Sequence, residues 1–352
     1  MRELLDYLEQ AVQDRASDLF IVAGGPVSEK RDGRIIPISG EKVFPGETER
    51  LIAGLYDMAD RSMEHYRQTG DDDFSFAVSG LARFRVNAYQ QRGSLAAVVR
   101  VVAFEIPDYQ TLHIPESVME LADVAHGMVL VTGTAGSGKS TTQACIIDRI
   151  NRTREGHIIT LEDPIEYLHR DQKSIVSQRE IAIDTTDYLS ALRACLRQAP
   201  DVILLGEMRD HETIRTAMTA AETGHLLIAT LHTNGAVNTI DRIIDSFPST
   251  QQSQIRVQLS MVLHTVVSQR LLPDMRGGMI PAFEIMHMTP AIRSMIRDCK
   301  SHQIDNVISA GASEGMCTMD QSILELYRKE FITRQTALDY ADNPEQMLRR
   351  MG

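Results

Sequence analysis

Met128-Val-Leu-Val-Thr132, followed by Gly133-Thr-Ala-Gly-Ser-Gly-Lys139-Ser140, decides the fold of this 352-residue chain. The first five residues are an apolar run of strand length, and Ser140–Asn151 has the pattern of a helix. The stretch between them fits G-x-x-x-x-G-K-[ST] without mismatch. Glycines let successive backbone N–H groups turn inward around a phosphate with no Cβ in the way. The helix that follows presents its positive N-terminal end to the same anion. Lys139 has the reach for the β- and γ-phosphates of ATP, and the Ser140 hydroxyl is a Mg²⁺ ligand of the expected type. A chance Gly/Ser-rich turn would not need a strand before it and a helix after it. Gly133, Thr134, Ala135, Gly136, Ser137, Gly138, Lys139, Ser140 and Thr141 are therefore the candidate ATP-binding residues.

Downstream, His157–Leu161, Val202–Leu205 and Leu226–Leu231 are further short apolar runs separated by helical segments, so an α/β fold with a parallel sheet is expected. Ligands in such sheets bind at the carboxyl ends of the strands. Acids stand there: Glu162 and Asp163 after one run, Glu207 after another. Most Asp and Glu that open a loop are simply solvated, but acids directly after buried strands in a nucleotide fold suit metal binding and water activation. Glu162 is read as the water-positioning base and Glu207 as the metal-side acid holding Mg²⁺, with the exchange of these two roles left open. His225 and His232 bracket the strand Leu226–Leu231. A zinc pair lacks a third ligand at any obvious spacing, so on spacing alone a structural capping role is favoured. His211-Glu212 begins like H-E-x-x-H, but position 215 is Arg and the metalloprotease reading fails.

The part before this begins with Leu4, Leu5, Leu8 and Val12 on one helical face, with acids where a signal peptide needs an apolar core. A short β-type run follows at 16–22, then a turn and strand at 31–37. Glu47 to Thr69 reads as helix, and three strands lie near 74–78, 82–89 and 95–102. This is a smaller α+β module, expected over 1–104. Pro107 and Pro115 mark 105–115 as a linker, leaving 116–352 as the second domain. From Thr250 onward mostly helix is expected, with one strand around Ile280–Ile285. With 36 basic and 48 acidic residues the net charge is -12, which opposes nucleic-acid binding without a local basic patch. The four cysteines show no zinc spacing and suit free thiols in a reducing compartment. No apolar stretch approaches the length of a membrane span.

Gly133–Thr142, Ile159-Thr-Leu-Glu-Asp-Pro-Ile-Glu-Tyr167, Leu205-Gly-Glu-Met-Arg-Asp210 and the His225/His232 segment together resemble four successive motifs of the hexameric secretion ATPases: the Walker A loop, the Asp box, an atypical Walker B with Glu, and the His box. Gly80-Leu-Ala-Arg-Phe-Arg-Val-Asn87 and Ala291-Ile-Arg-Ser-Met-Ile-Arg-Asp298 extend the likeness to nearly the whole chain, and within the superfamily to the type IV pilus retraction ATPases. The resemblance implies a PAS-like N-terminal domain, a RecA-like ATPase domain and a homohexamer. It implies ATP and Mg²⁺ as cofactors, with Arg83, Arg85 and Arg100 as the candidate arginines for completing the site, which of them being left open. Arg209 is a further candidate for linking sites. His225 and His232 become nucleotide-state couplers rather than metal ligands. The expected partner is an inner-membrane pilus platform protein, and the expected location is cytoplasmic, peripheral at the inner face of the cytoplasmic membrane. Two departures stand out. Thr134-Ala135 replaces the family's Pro-Thr at x positions of the loop, and Ser294, Met295 and Asp298 differ from A-I-R-N-L-I-R-E while keeping an amphipathic helix. Pilus-assembly and type II secretion ATPases are the alternative, but they carry a tetracysteine module lacking here. A weakly hydrolysing regulatory subunit is opposed by intact Lys139, Ser140, Glu162 and Glu207.

Overall fold

A computed structural model describes residues 3–31, 33–102 and 106–351. They fall into two compact units, one comprising the residues up to 105 with Glu166–Leu168, the other Ile106–Ile165 with His169 onward.

In the first unit, α1 (Leu4–Gln13) opens with a capping box between Glu3 and Asp6 and buries Leu4, Tyr7, Leu8 and Ala11. Leu5, expected on the apolar face, is exposed instead. Tyr7 and Ala11 complete the stripe at helical spacing. Strands β1 (Asp18–Ile21), β2 (Ser28–Arg31) and β3 (Arg34–Pro37) precede α2 (Pro45–Met58) and α3 (Glu64–Thr69), and β4 (Asp71–Val78), β5 (Ala82–Gln91) and β6 (Ser94–Val102) complete an antiparallel sheet ordered β3-β2-β1-β6-β5-β4. The helix expected across 47–69 is broken. Asp60 takes a positive φ of 49°, and Arg61 turns away to pair with buried Asp72 at 2.8 Å. A left-handed backbone cannot continue an α-helix, so the chain restarts it at Glu64.

The second unit contains α4 (Glu116–Met119), β7 (Gly127–Thr132), α5 (Lys139–Thr153), β8 (His157–Glu162), β9 (Ile175–Glu180), α6 (Tyr188–Cys195), β10 (Val202–Leu205), α7 (His211–Glu222), β11 (Leu226–Leu231), α8 (Ala236–Asp245), α9 (Ser249–Val262), β12 (Leu263–Pro273), β13 (Met279–His287), α10 (Pro290–Arg297), α11 (Ile304–Ala310), α12 (Met319–Arg328), α13 (Arg334–Tyr340) and α14 (Pro344–Met351). Its sheet is ordered β13-β12-β7-β11-β10-β8-β9. Every neighbouring pair is parallel except β12 with β13. All residues of β7, β10 and β11 are buried, as strands covered by helices on both faces must be. Fully burying each Leu, Ile or Val there stabilises the fold by about 1.5–3 kcal/mol.

Two strands escape the sequence pattern. β12 continues α9 without an intervening turn, so its Leu263-His-Thr-Val-Val run merges with the helical one. β9 is a polar edge strand. The stretch expected as a linker packs with this unit from Ile106 onward: Ile114 is buried against α5, with Ile106, Tyr109 and Leu112 beside it. Residue 105 lies outside the described residues. In α10, Thr289 caps the helix by accepting from the Ile292 N–H at 3.2 Å. Ile292 and Ile296 join the core, with Met295 packed against it. The Arg293 guanidinium on the other face binds the Ser260 and Met261 carbonyls. The cysteines are unpaired, and among the described residues no helix is long and apolar enough to cross a membrane.

Candidate active site

The glycine loop leaves β7 at Thr132 and enters α5 at Lys139. Two glycines resist substitution. A Cβ on Gly133 (φ +142°) would overlap the Gln269 carbonyl oxygen, and one on Gly138 (φ +88°) would lie 2.8 Å from Gln269 Nε2. Strand β12 thus braces the loop through one residue, whose Oε1 also accepts from Thr142 Oγ1 at 2.7 Å. The N-terminus of α5 has no side-chain cap, so its first N–H groups are left to a ligand. Lys139 Nζ is folded into the loop, donating to the Gly133 and Thr134 carbonyls at 2.9 and 2.8 Å. Ser137 Oγ is buried without a partner. Thr134, Ala135 and Gly136 are exposed and Ser140 and Thr141 half-buried. Uncapped amides, a buried ammonium folded into the loop, and glycines packed tightly against β12 all fit a polyphosphate. Beside the loop lies a cavity of about 210 Å³, lined by Leu112, Ile114, Gly138, Thr142, Leu271 and Pro281 among others.

At the same carboxyl end, Glu207 follows β10 after Gly206. Its side chain is 11% exposed and meets His232 Nε2 at 3.1 Å through one oxygen. The Arg209 guanidinium pairs with the other. Thr230 Oγ1 donates to the Gly206 carbonyl, and the Met208 N–H to the Thr230 carbonyl at 3.1 Å. The loop carrying Glu207 is therefore stitched to β11, and His232 directly follows that strand. Glu162 ends β8 and accepts from Thr160 Oγ1 at 2.6 Å and from Gln178 Nε2 at 3.2 Å. In the strand order, β10 is two positions and β8 three positions from β7. At about 4.8 Å per strand, these are roughly 10 and 14 Å across the sheet. Glu207 is thus the acid nearer the loop, and Glu162 stands farther out.

The geometry separates His225 from this group. It precedes β11 at the amino end, where its Nδ1 meets the Ala220 carbonyl at 2.9 Å and Thr223 Oγ1 at 3.1 Å. The six-residue strand β11 holds it roughly 20 Å from His232. A shared zinc ion is therefore excluded for the pair, and no group of three metal-type ligands occurs among the described residues. In the first unit, Arg83, Arg85 and Arg100 lie on one face of the sheet, with Arg85 directly opposite Arg100. The face behind them carries buried Phe84 and Val86. Arg83 donates to Ser75 Oγ at 2.6 Å, and Arg100 pairs with Asp18 at 3.0 Å.

Sequence reasoning missed four residues at this end of the second unit: Thr160, Gln178, Tyr188 and Gln269. The Tyr188 hydroxyl packs where a Cβ on Gly206 would stand, 2.6 Å away. Burial, together with the nearby Asp163, Glu207 and Glu162 carboxylates, pushes its phenol up from the ordinary value, so it stays a proton donor beside the acids. A Cβ at position 206 would have to displace that hydroxyl, with the Leu161 carbonyl oxygen 3.1 Å away, a constraint invisible until α6 is folded against β10.

A nearly all-parallel sheet with a phosphate loop after its third strand in spatial order, and acids at the neighbouring carboxyl ends, defines a RecA-like phosphate-loop ATPase. The chain belongs to the family described as Type II/IV secretion system protein, whose profile matches residues 1–333. It is 43% identical over 344 residues to the type IV pilus retraction ATPase PilT of Pseudomonas aeruginosa, covering 97% of this chain and 99% of that protein. It is 46% identical over 291 residues to a twitching motility protein of Neisseria gonorrhoeae, covering 82% and 78% of the two chains. Among solved structures, a crystal structure of the pilus retraction motor PilT with bound ADP superposes with a TM-score of 0.91 at 43% identity, covering 99% of this chain and 100% of that one.

Proposed function

We propose that this chain is the ATP-driven motor of type IV pilus retraction, working as a homohexamer on the cytoplasmic side of the inner membrane against a pilus platform protein. In this reading residues 1–104 form a PAS-like domain and 116–352 the ATPase domain, with 106–115, read from sequence as linker, packed on the latter. The observation that carries the proposal is the convergence of Lys139, Glu207, His232 and Glu162 at one end of the sheet. The near end-to-end likeness to retraction ATPases supports the direction of the work.

Loop amides and Lys139 hold the β- and γ-phosphates of ATP, and the apolar cavity beside Thr142 seats the base. Ser140 and Glu207 would hold Mg²⁺, which when bound neutralises charge on the transferring phosphoryl group. Glu162 orients the attacking water and takes its proton. His232, bonded to Glu207, senses whether that acid is engaged. Arg83, Arg85 or Arg100 supplies positive charge to the developing transition state, and Arg209 relays the state of Glu207 outward. His225 acts at the opposite end of β11, where it reports the strand's position rather than touching nucleotide.

Purified protein supplied with Mg²⁺ and ATP should release phosphate. Lys139→Ala should abolish both binding and release, and Glu162→Gln release alone. A strain lacking the gene should keep surface pili and lose twitching. Equal phosphate release by Lys139→Ala would end the proposal.

A further inference from the structure

A carboxylate that must draw a proton from water gains from being held in one orientation toward it. The register between β8 and β9 sets Gln178 directly opposite Thr160, and Thr160 lies two residues before Glu162 on the same face. Both side chains donate to one and the same oxygen of Glu162, Oε1. The orientation of the Gln178 amide is fixed from its far side. Its Oε1 accepts the His169 backbone N–H at 2.8 Å, and a backbone N–H can only donate. The NH₂ group is therefore turned toward Glu162. Ionisable groups at this end of the sheet include Asp163, Glu207, Tyr188 and Arg209, with His232 on Glu207 and Lys139 in the loop. On β9 itself, Arg179 binds the Asp184 carbonyl and Glu180 accepts the Ile165 N–H.

We infer that Gln178 is a positioning residue for ATP hydrolysis, holding Glu162 by Oε1 and so fixing the orientation of its carboxylate toward the attacking water. The inference rests on the reading of Glu162 as the base. Thr160 supplies the second, buried donor.

Gln178→Glu separates positioning from mere packing. It keeps the shape and the acceptor for the His169 N–H, but replaces the donor with a second negative charge. In the full-length protein, phosphate release should show kcat lowered at least tenfold with KM for ATP within twofold. Gln178→Asn, uncharged and too short to span both partners, should lower kcat similarly, and serves if the charged variant does not fold. Wild-type turnover by Gln178→Glu beside a crippled Gln178→Leu would overturn the inference, leaving a loop anchor. So would a rise in KM matching the fall in kcat. Failure of the underlying reading looks different: Glu162→Gln would itself retain turnover.

Discussion

Two glycines of one loop, both in positive-φ conformations, should respond very differently to alanine. Gly136 (φ +76°) has nothing within 4 Å of where a Cβ would stand. Alanine there meets only the left-handed backbone cost, about 1–2 kcal/mol, partly offset by about 0.5 kcal/mol from a stiffer unfolded chain. Gly133 (φ +142°) adds collisions, with the Gln269 carbonyl and with Ser137 Oγ at 2.6 Å. The first belongs to the backbone of β12, which is paired on both sides and cannot yield. Backbone strain of about 1–3 kcal/mol and overpacking of about 1–3 kcal/mol then add to roughly 2–6 kcal/mol. The loop relaxes by moving off β12, and ATP must drive it back. If about 2 kcal/mol of that falls on binding, affinity drops roughly thirtyfold. Titration with a fluorescent ATP analogue and Mg²⁺, with denaturant midpoints in parallel, reads both terms. Gly133→Ala binding within twofold of wild type, or Gly136→Ala binding more weakly than Gly133→Ala, would refute the argument.

Arg61→Met should destabilise the first unit by about 3 kcal/mol, because it strands the buried Asp72 carboxylate with the Tyr56 hydroxyl as remaining donor; an unchanged denaturant midpoint would contradict this. Burial holds His169 well below the usual imidazole range, at about 4, so between that value and about 6.5 the unfolded chain binds more protons than the native one. Stability should be full above pH 6.5 and fall by up to about 1.4 kcal/mol per unit below it, levelling near pH 4. His169→Gln should flatten that slope in urea titrations at pH 7.5, 6 and 5, and parallel slopes for both proteins would remove His169 as the cause. Glu207→Ala should cut phosphate release at least a hundredfold while leaving metal-free nucleotide binding within a fewfold, and equal losses in both would make it a structural acid.

What could be read from the sequence follows from how each feature is encoded. The loop and the acids after β8 and β10 are local: a contiguous pattern, or an acid one step beyond an apolar run, needs no knowledge of the rest of the chain. Strands β7, β10 and β11 were legible for the same reason, being buried on both faces. Strand β12 was not, because α9 passes into it with no breaker and its run of apolar residues satisfies either period. Strand β9 was not, because an edge strand of Ile-Val-Ser-Gln-Arg-Glu offers no buried face to pattern. These two strands carry Gln269 and Gln178, one bracing the phosphate loop and the other binding Glu162. His225 shows the converse: a pair that looks symmetrical about a strand in sequence is split to its two ends in space. A motif therefore names the groups that meet phosphate, metal and water. The polar side chains that hold those groups in place come from strands recognisable only once their neighbours in the sheet are known, and substitutions at Gln178 and Gln269 should accordingly alter turnover and loop rigidity without touching any motif.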